Sequence, residues 1–172
     1  MREEEGQYDE ALIYLVIGEE RAAVIDGGTG IGRLDRLVME LTDKPYFLLL
    51  THTHNDHICL LDREARYLYT GDIYYTGGVT SYLPGGNHDD FIKSCKRLVD
   101  LMPEYDYLMP AHNEPLVEPE QMREMYEAAK GIKDGSITDY TSRRSVATNY
   151  DTMIRRYQFS KFSLSVRESL FK

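Results

Sequence analysis

The chain carries the sequence Leu-Leu-Leu-Thr-His-Thr-His-Asn-Asp-His at residues 48–57. Four possible metal ligands follow its apolar, strand-like start within six positions: His52, His54, Asp56 and His57. A regular strand or helix cannot present all three histidines on one face, because positions two apart share a strand face whereas positions three apart do not. The segment must therefore turn, and a turn can bring imidazoles and a carboxylate to one ion such as zinc. The alternative, a polar loop that happens to hold histidines, explains their tight alternation beside an aspartate less well.

Length and composition narrow the class of protein. The 172 residues fit one domain, residues 1–172, which is long enough to bury a core. A net charge of −9 argues against nucleic-acid binding through a basic surface. No apolar run approaches the roughly 20 residues that span a bilayer, and residues 1–5 lack the apolar core of a signal peptide. The two cysteines make no disulfide framework, so we expect a cytoplasmic protein without a membrane partner.

The pattern of apolar residues and breakers predicts a layered α/β arrangement, with helices packed on sheets. Strands are predicted at 11–17, 22–26, 46–50, 59–62, 66–70, 106–109 and 156–166, and helices at 31–41, 88–101 and 119–132. The strand at 46–50 is expected to be buried, since it is a continuous apolar run. Residues 74–86 and 135–151, rich in glycine or polar residues, are predicted to be loops.

Possible ligands follow three of the predicted strands. Residues 52–57, Asp72 and His112 each lie just beyond a strand's carboxyl end, and such ends can meet at one edge of a sheet. Asp56, His57, Asp72 and His112 would give one cation four ligands. His52 and His54, with Asp72 as a bridge, would begin a second site. Two cations that share a carboxylate could hold a hydroxide, which is a strong nucleophile near neutral pH.

These segments together resemble the metallo-β-lactamase fold superfamily of zinc-dependent hydrolases. Residues 52–57 match its His-x-His-x-Asp-His motif, and Asp26, in Val-Ile-Asp-Gly-Gly, matches an aspartate that ends an early strand. Thr-Gly-Asp at 70–72 matches the segment of the bridging aspartate, and Pro-Ala-His-Asn at 110–113 matches that of the late histidine. The resemblance runs from about residue 11 to residue 117. The first motif is specific, while the later two gain weight from their order.

The resemblance implies an αββα sandwich with a dinuclear zinc site at its edge. It also implies hydrolysis of an ester, thioester, lactone, β-lactam or phosphodiester bond in a small-molecule substrate. A metal-activated water would attack, and the metal would stabilise the oxygen that gains charge. Asp56 would bind one metal and pass a proton to the leaving group.

One departure from the family pattern limits this interpretation. The family carries a further histidine between the first motif and the bridging aspartate, whereas only 14 residues, none of them histidine, separate His57 from Asp72 here. The sandwich is therefore expected to be shortened by an internal deletion. Cys59 or His88 could replace the missing ligand. We expect one zinc site to be retained and the second to be weak or absent, which leaves a catalytically silent metal-binding scaffold as the alternative function. Bared apolar surface would favour a homodimer.

Overall fold

The computed structural model describes residues 12–26, 34–49, 59–83, 87–145 and 151–171, and these ranges form a mixed α/β fold. The strands are β1 (Tyr14–Ile17), β2 (Ala22–Ile25), β3 (Tyr46–Leu49), β4 (Leu60–Asp62), β5 (Tyr67–Gly71), β6 (Gly77–Thr80), β7 (Tyr107–Pro110), β8 (Thr141–Ser145), β9 (Thr152–Gln158) and β10 (Phe162–Arg167). The helices are α1 (Leu34–Leu41), α2 (His88–Asp100) and α3 (Glu120–Asp134). Within these ranges, none of the helices is both long enough and apolar enough to cross a membrane.

The described strands form three sheets. The first has the order β1-β2-β3, with β1 antiparallel and β3 parallel to β2. The second has the order β4-β5-β7, in which the β4–β5 hairpin pairs with β7 through the parallel strand β5. The third has the order β6-β10-β9-β8, and β6 is parallel to β10. Because β5 and β7 are parallel neighbours, the loops that follow them leave the same edge of the second sheet.

Most of the buried apolar side chains belong to one core, to which α2, α3, the second sheet and the third sheet all contribute. Its fully buried members include Cys95, Leu108, Met122 and Leu164. The helix ends follow from their sequence. Asn87 caps α2, because its side chain accepts a hydrogen bond from the backbone N–H of Asp89 at 2.8 Å.

The first sheet has a smaller core of its own, in which Ile13, Val24 and Val38 meet. The prediction of a buried strand at 46–50 is wrong for β3, since Phe47 is 44% and Leu48 52% exposed. The physical reason is that β3 is the edge strand among the described strands of this sheet, so its side chains are only partly covered. An apolar run shows that a strand is fit for burial, but it does not supply the neighbour that buries it.

Two predicted loops contain strands, and one predicted strand is a hairpin. The glycine-rich β6 lies within 74–86 and the polar β8 lies within 135–151. β6 pairs with β10, which is distant in sequence, and β8 pairs with β9, which follows after a connecting segment. Local composition does not encode such pairing. The segment 156–166 divides into β9 and β10, which turn where Phe159 N–H donates to Phe162 O at 2.8 Å.

Candidate active site

Asp72 and His112 lie side by side at the carboxyl edge of the second sheet. Asp72 follows β5 directly, and His112 lies two residues beyond β7. The Oδ1 atom of Asp72 is 3.1 Å from the Nε2 atom of His112, and the two side chains are 31% and 17% exposed. The structure thus brings a carboxylate and an imidazole together from sequence positions 40 residues apart, at a point that solvent can reach.

The other predicted ligands lie outside the described residues. They are His52, His54, Asp56 and His57, and the predicted role of Asp56 as a proton donor lies there with them. Leu49 ends β3 before this segment, and Cys59 precedes β4 after it. The assignment of all six residues as ligands therefore stays a prediction, of which the structure shows the relative position of two.

A tight turn sets the position of Asp72. Gly71 adopts a φ of 53°, in the left-handed region that glycine enters without strain. The turn closes where Ile73 N–H donates to Thr70 O at 3.2 Å. The buried Thr70 hydroxyl then donates to Tyr74 O at 2.8 Å. These bonds make the Thr-Gly-Asp segment leave β5 abruptly, so that Asp72 stands at the sheet edge instead of continuing the strand.

The loop of His112 is attached to the loop of Asp72 through Thr76 and Asn113. Asn113 has a φ of 64°, and its side-chain amide donates to the backbone oxygen of Thr76. The backbone N–H of Glu114 donates to the Thr76 hydroxyl at 3.2 Å. Gly77 leaves room for this contact, since a Cβ atom there would lie 2.9 Å from the Asn113 amide nitrogen. Sequence reasoning missed these roles, although an asparagine directly after a possible ligand is a residue that tolerates left-handed backbone.

Tyr75 fixes the plane of the His112 imidazole. The two rings meet edge to face, with centroids 4.9 Å apart and an interplanar angle of 69°. The Tyr75 hydroxyl donates to Gly78 O at 2.7 Å, which holds the tyrosine in place. Three tyrosines follow Asp72 in the sequence within ten residues. Tyr74 and Tyr82 are buried packing residues, whereas Tyr75 contacts the site.

The first sheet supports the site through Tyr14. Its hydroxyl oxygen lies 2.6 Å from Pro110 O and 3.0 Å from Pro115 O, so its single proton is shared between the two ends of the His112 loop. Burial raises the pKa of Tyr14, and the neighbouring Tyr69 and Asp26 raise it further, so it stays a neutral donor. Asp26 lies directly after β2, is 8% exposed and has a φ of 65°. It stands where the resemblance implies a structural aspartate.

The two residues that could replace the missing histidine have other surroundings. The Cys59 thiol lies 3.7 Å from Thr70 O, and burial raises its pKa to about 12. His88 is the first residue of α2 and is buried, with Nδ1 3.0 Å from Ser81 Oγ and Nε2 3.0 Å from Ala129 O. These contacts favour a packing role for Cys59 and a structural role for His88.

Asp72 and His112 suit a zinc ion in donor type and in spacing. Two donors that each lie roughly 2.0–2.2 Å from a tetrahedral ion are about 3.3–3.6 Å apart, within half an ångström of the 3.1 Å observed. Within the described ranges, no group of three histidine, cysteine, aspartate or glutamate side chains is placed to hold a metal. We expect the remaining ligands to come from the motif at residues 52–57, which lies outside the described residues.

Comparisons with known proteins give a partial sequence match and a fold match. No family profile matches the chain. The acyl-coenzyme A thioesterase MBLAC2 of Gallus gallus is 33% identical over 78 residues, which are 44% of this chain and 28% of that protein. The acyl-coenzyme A thioesterases MBLAC2 of Bos taurus and Homo sapiens are 28% identical over the same length. The chain thus matches little more than a quarter of the length of these curated relatives.

Among solved structures, the fold is similar to that of a DIM-1 metallo-β-lactamase exposed to ceftazidime. The TM-score is 0.50 at 13% identity, and the similarity covers 72% of this chain and 86% of that one. At this identity the likeness concerns the fold alone. The chain thus has a metallo-β-lactamase-like fold, and part of its sequence is similar to that of acyl-coenzyme A thioesterases.

Proposed function

We propose that this protein is a metal-dependent hydrolase. The observation that carries the proposal is the approach of Asp72 Oδ1 to His112 Nε2 at the edge of the second sheet. The parallel pairing of β5 and β7 creates this approach, and Tyr75, Thr76 and Asn113 hold it in place. A carboxylate and an imidazole held together on adjacent loops supply two donors of the types that a catalytic zinc ion binds.

Asp72 and His112 would hold zinc together with Asp56 and His57. A bound zinc ion would lower the pKa of a coordinated water and polarise the bond to be cleaved. Tyr75 would orient the imidazole of His112, because its edge-to-face contact limits rotation of the ring. Asp56 would pass a proton to the leaving group. His52 and His54 would contribute to a second, weaker site.

Among the bonds that such a site could cleave, we propose a thioester in a small acyl compound. Support comes from the curated relatives, which are acyl-coenzyme A thioesterases. Esters, lactones, β-lactams and phosphodiesters are the other substrate classes against which thioester hydrolysis is compared. The chain's net charge of −9 disfavours nucleic acids as substrates.

A second candidate function, a catalytically silent metal-binding scaffold, is favoured by one observation. No histidine lies between His57 and Asp72, and the two described residues that could replace it, Cys59 and His88, have packing contacts instead. A scaffold of this kind would bind zinc through Asp72 and His112 without turning over a substrate.

The test measures zinc content and hydrolysis on the same preparations. The zinc-loaded chain is assayed against an acyl-coenzyme A, an aryl ester, a β-lactam and a phosphodiester. We expect His112→Ala and Asp72→Asn to weaken zinc binding and thioester hydrolysis by roughly 100-fold or more. The matched control is Asp106→Asn, which changes an exposed aspartate that lies before β7 and pairs with Arg66. This substitution should alter neither zinc binding nor thioester hydrolysis. Zinc binding without hydrolysis would favour the scaffold, and unchanged activity in both site variants would refute the enzyme proposal.

We further propose that the chain forms a homodimer through the first sheet. Support comes from the apolar side chains that this sheet and α1 expose, among them Phe47, Leu48 and Met39. The edge of β3 offers backbone groups that no described strand pairs with, so a second copy of β3 could extend the sheet.

A further inference from the structure

A pocket of about 360 Å³ lies between the second sheet and α2, and neither Asp72 nor His112 lines it. Six of its lining residues are apolar or, in one case, a neutral thiol: Cys59, Leu61, Leu68, Ile73, Leu98 and Leu101. Two polar residues, Ser94 and Arg97, also line it. The volume falls within the range of small-molecule pockets, which are typically apolar with a few placed polar groups.

The register of the β4–β5 hairpin explains why the pocket is apolar and where it ends. Leu61 is paired directly with Leu68, so the two side chains share the sheet face that α2 covers. Cys59 lies two positions before Leu61 and shares that face. The Cys59 thiol is 3.7 Å from Thr70 O, two residues before Asp72. One end of the pocket therefore lies under the sheet edge that carries the candidate active site.

The two polar residues are placed to receive an anionic group. Ser94 and Arg97 are three positions apart on α2, a spacing that puts them on one face of the helix. The other basic residues in this stretch have acidic partners, since Lys93 pairs with Asp90 and Lys96 with Asp100. Arg97 forms no ion pair with any carboxylate that the structure describes, so its guanidinium is available beside an apolar pocket.

We propose that this pocket binds a free fatty acid, with the aliphatic chain against the partly exposed Cys59, Leu61 and Leu101 and the carboxylate on Arg97 and Ser94. The occupant follows from the combination of surfaces. An apolar pocket alone accepts any aliphatic compound, but an arginine and a serine hydroxyl at its margin select a terminal carboxylate over an ammonium or a neutral group. The proposal stands without the proposed hydrolase activity, although a fatty acid is also what hydrolysis of a fatty acyl thioester releases.

Calorimetric titration of the full zinc-loaded chain with octanoate, decanoate and dodecanoate tests the proposal. We expect saturable binding that strengthens roughly fourfold per added methylene until the pocket is filled. Arg97→Gln should weaken dodecanoate binding roughly three- to tenfold and leave dodecanol binding unchanged. The matched control is Arg36→Gln, another exposed helical arginine on α1, which should bind dodecanoate as the wild type does.

Two further variants test whether the fatty acid binds in this pocket, and not at the metal site or through nonspecific hydrophobic contact. Leu61→Trp should fill the pocket and abolish dodecanoate binding. The circular dichroism spectrum of this variant should show the same helix content as the wild type, which establishes that it is folded. His112→Ala should keep dodecanoate binding, because the carboxylate contacts Arg97 and not a metal. The proposal would be overturned if His112→Ala lost binding, or if Arg97→Gln bound dodecanoate with the same affinity as the wild type. It would also be overturned if dodecyltrimethylammonium bound equally tightly, or if no saturable binding were seen.

Discussion

His112 owes its position to neighbours that have no direct part in chemistry. Tyr75 packs against its ring, Asn113 ties its loop to Thr76, and Tyr14 bridges both ends of that loop. Sequence patterns identified the possible ligands Asp72 and His112, because ligand types after predicted strands are visible locally. Their supporting residues were not identified, because a contact such as that between Asn113 and Thr76 exists only once two distant loops have met.

Asn113 supports the site through both its backbone and its side chain, and substitutions can separate the two contributions. Asn113→Gly loses the hydrogen bond to Thr76 but keeps an easy left-handed backbone, whereas Asn113→Ala loses both. We expect alanine to lower the free energy of unfolding by about 1 kcal/mol more than glycine does. Urea unfolding with a chelator present measures this difference without a metal contribution. Equal destabilisation by the two variants would show that the backbone conformation is not strained.

Buried His88 should make stability depend on pH. Burial lowers its pKa, and the hydrogen bond to Ala129 O opposes this only in part. Below about pH 6.5 the unfolded chain therefore takes up a proton that the folded chain resists, so stability falls as the pH drops below that value and is unaffected above it. Comparison of urea unfolding at pH 7.5 and 5.5 should show a larger loss in the wild type than in His88→Gln. The free energy of unfolding of His88→Gln should also be roughly 1–2 kcal/mol lower than that of the wild type at pH 7.5. An equal loss of stability on acidification in both proteins would contradict the assignment of this pH dependence to His88.

At the scale of elements, the sequence predicted what local signals encode. The hairpin β1–β2, the hairpin β4–β5 and the helices α2 and α3 appear close to their predicted bounds, since periodicity, turns and caps mark them. The strands β6 and β8 were missed, because glycine-rich and polar segments become strands only through pairing with β10 and β9. Pairing partners are a property of the fold and not of the segment.

The end of α3 tests a feature that the local sequence encodes, a glycine at a helix end. Gly135 has a φ of 81°, and a Cβ atom there would meet no heavy atom within 4 Å. Substitution should therefore act through backbone conformation alone, without a steric clash. We expect Gly135→Ala to lower the free energy of unfolding by about 1 kcal/mol and Gly135→Asn to lower it less, as judged by thermal or urea unfolding. Lys130→Ala, on the exposed face of the same helix, should change it by less than about 0.5 kcal/mol, and an alanine at 135 without cost would contradict a left-handed helix end.

At the scale of the whole molecule, burial is uneven. Among the described residues, the second and third sheets share one large core with α2 and α3, whereas the first sheet and α1 enclose a small cluster around Ile13, Val24 and Val38. The internal deletion that the sequence predicts between His57 and Asp72 would account for this difference, because lost strands or helices would leave their former neighbours bare. A sequence can reveal such a departure from a family pattern, but it cannot show which surface the departure exposes.

The exposed apolar side of the first sheet predicts self-association. Successive residues of β3 point to opposite faces, and Phe47 and Leu48 are each about half exposed, so both faces of this edge strand contact water in an isolated chain. Pairing with β3 of a second copy would satisfy the backbone groups that no described strand pairs with and would bury these side chains. Leu48→Lys should oppose this pairing by placing two like charges at one interface. Sedimentation velocity at micromolar concentrations should show a dimer for the wild type and a monomer for Leu48→Lys. The control Met153→Lys, at an equally apolar and similarly exposed position on β9, should remain dimeric, because the third sheet is not the proposed interface. A wild-type protein that is monomeric throughout the concentration range would mean that the exposed face of β3 needs no partner, and would remove the support for a dimer.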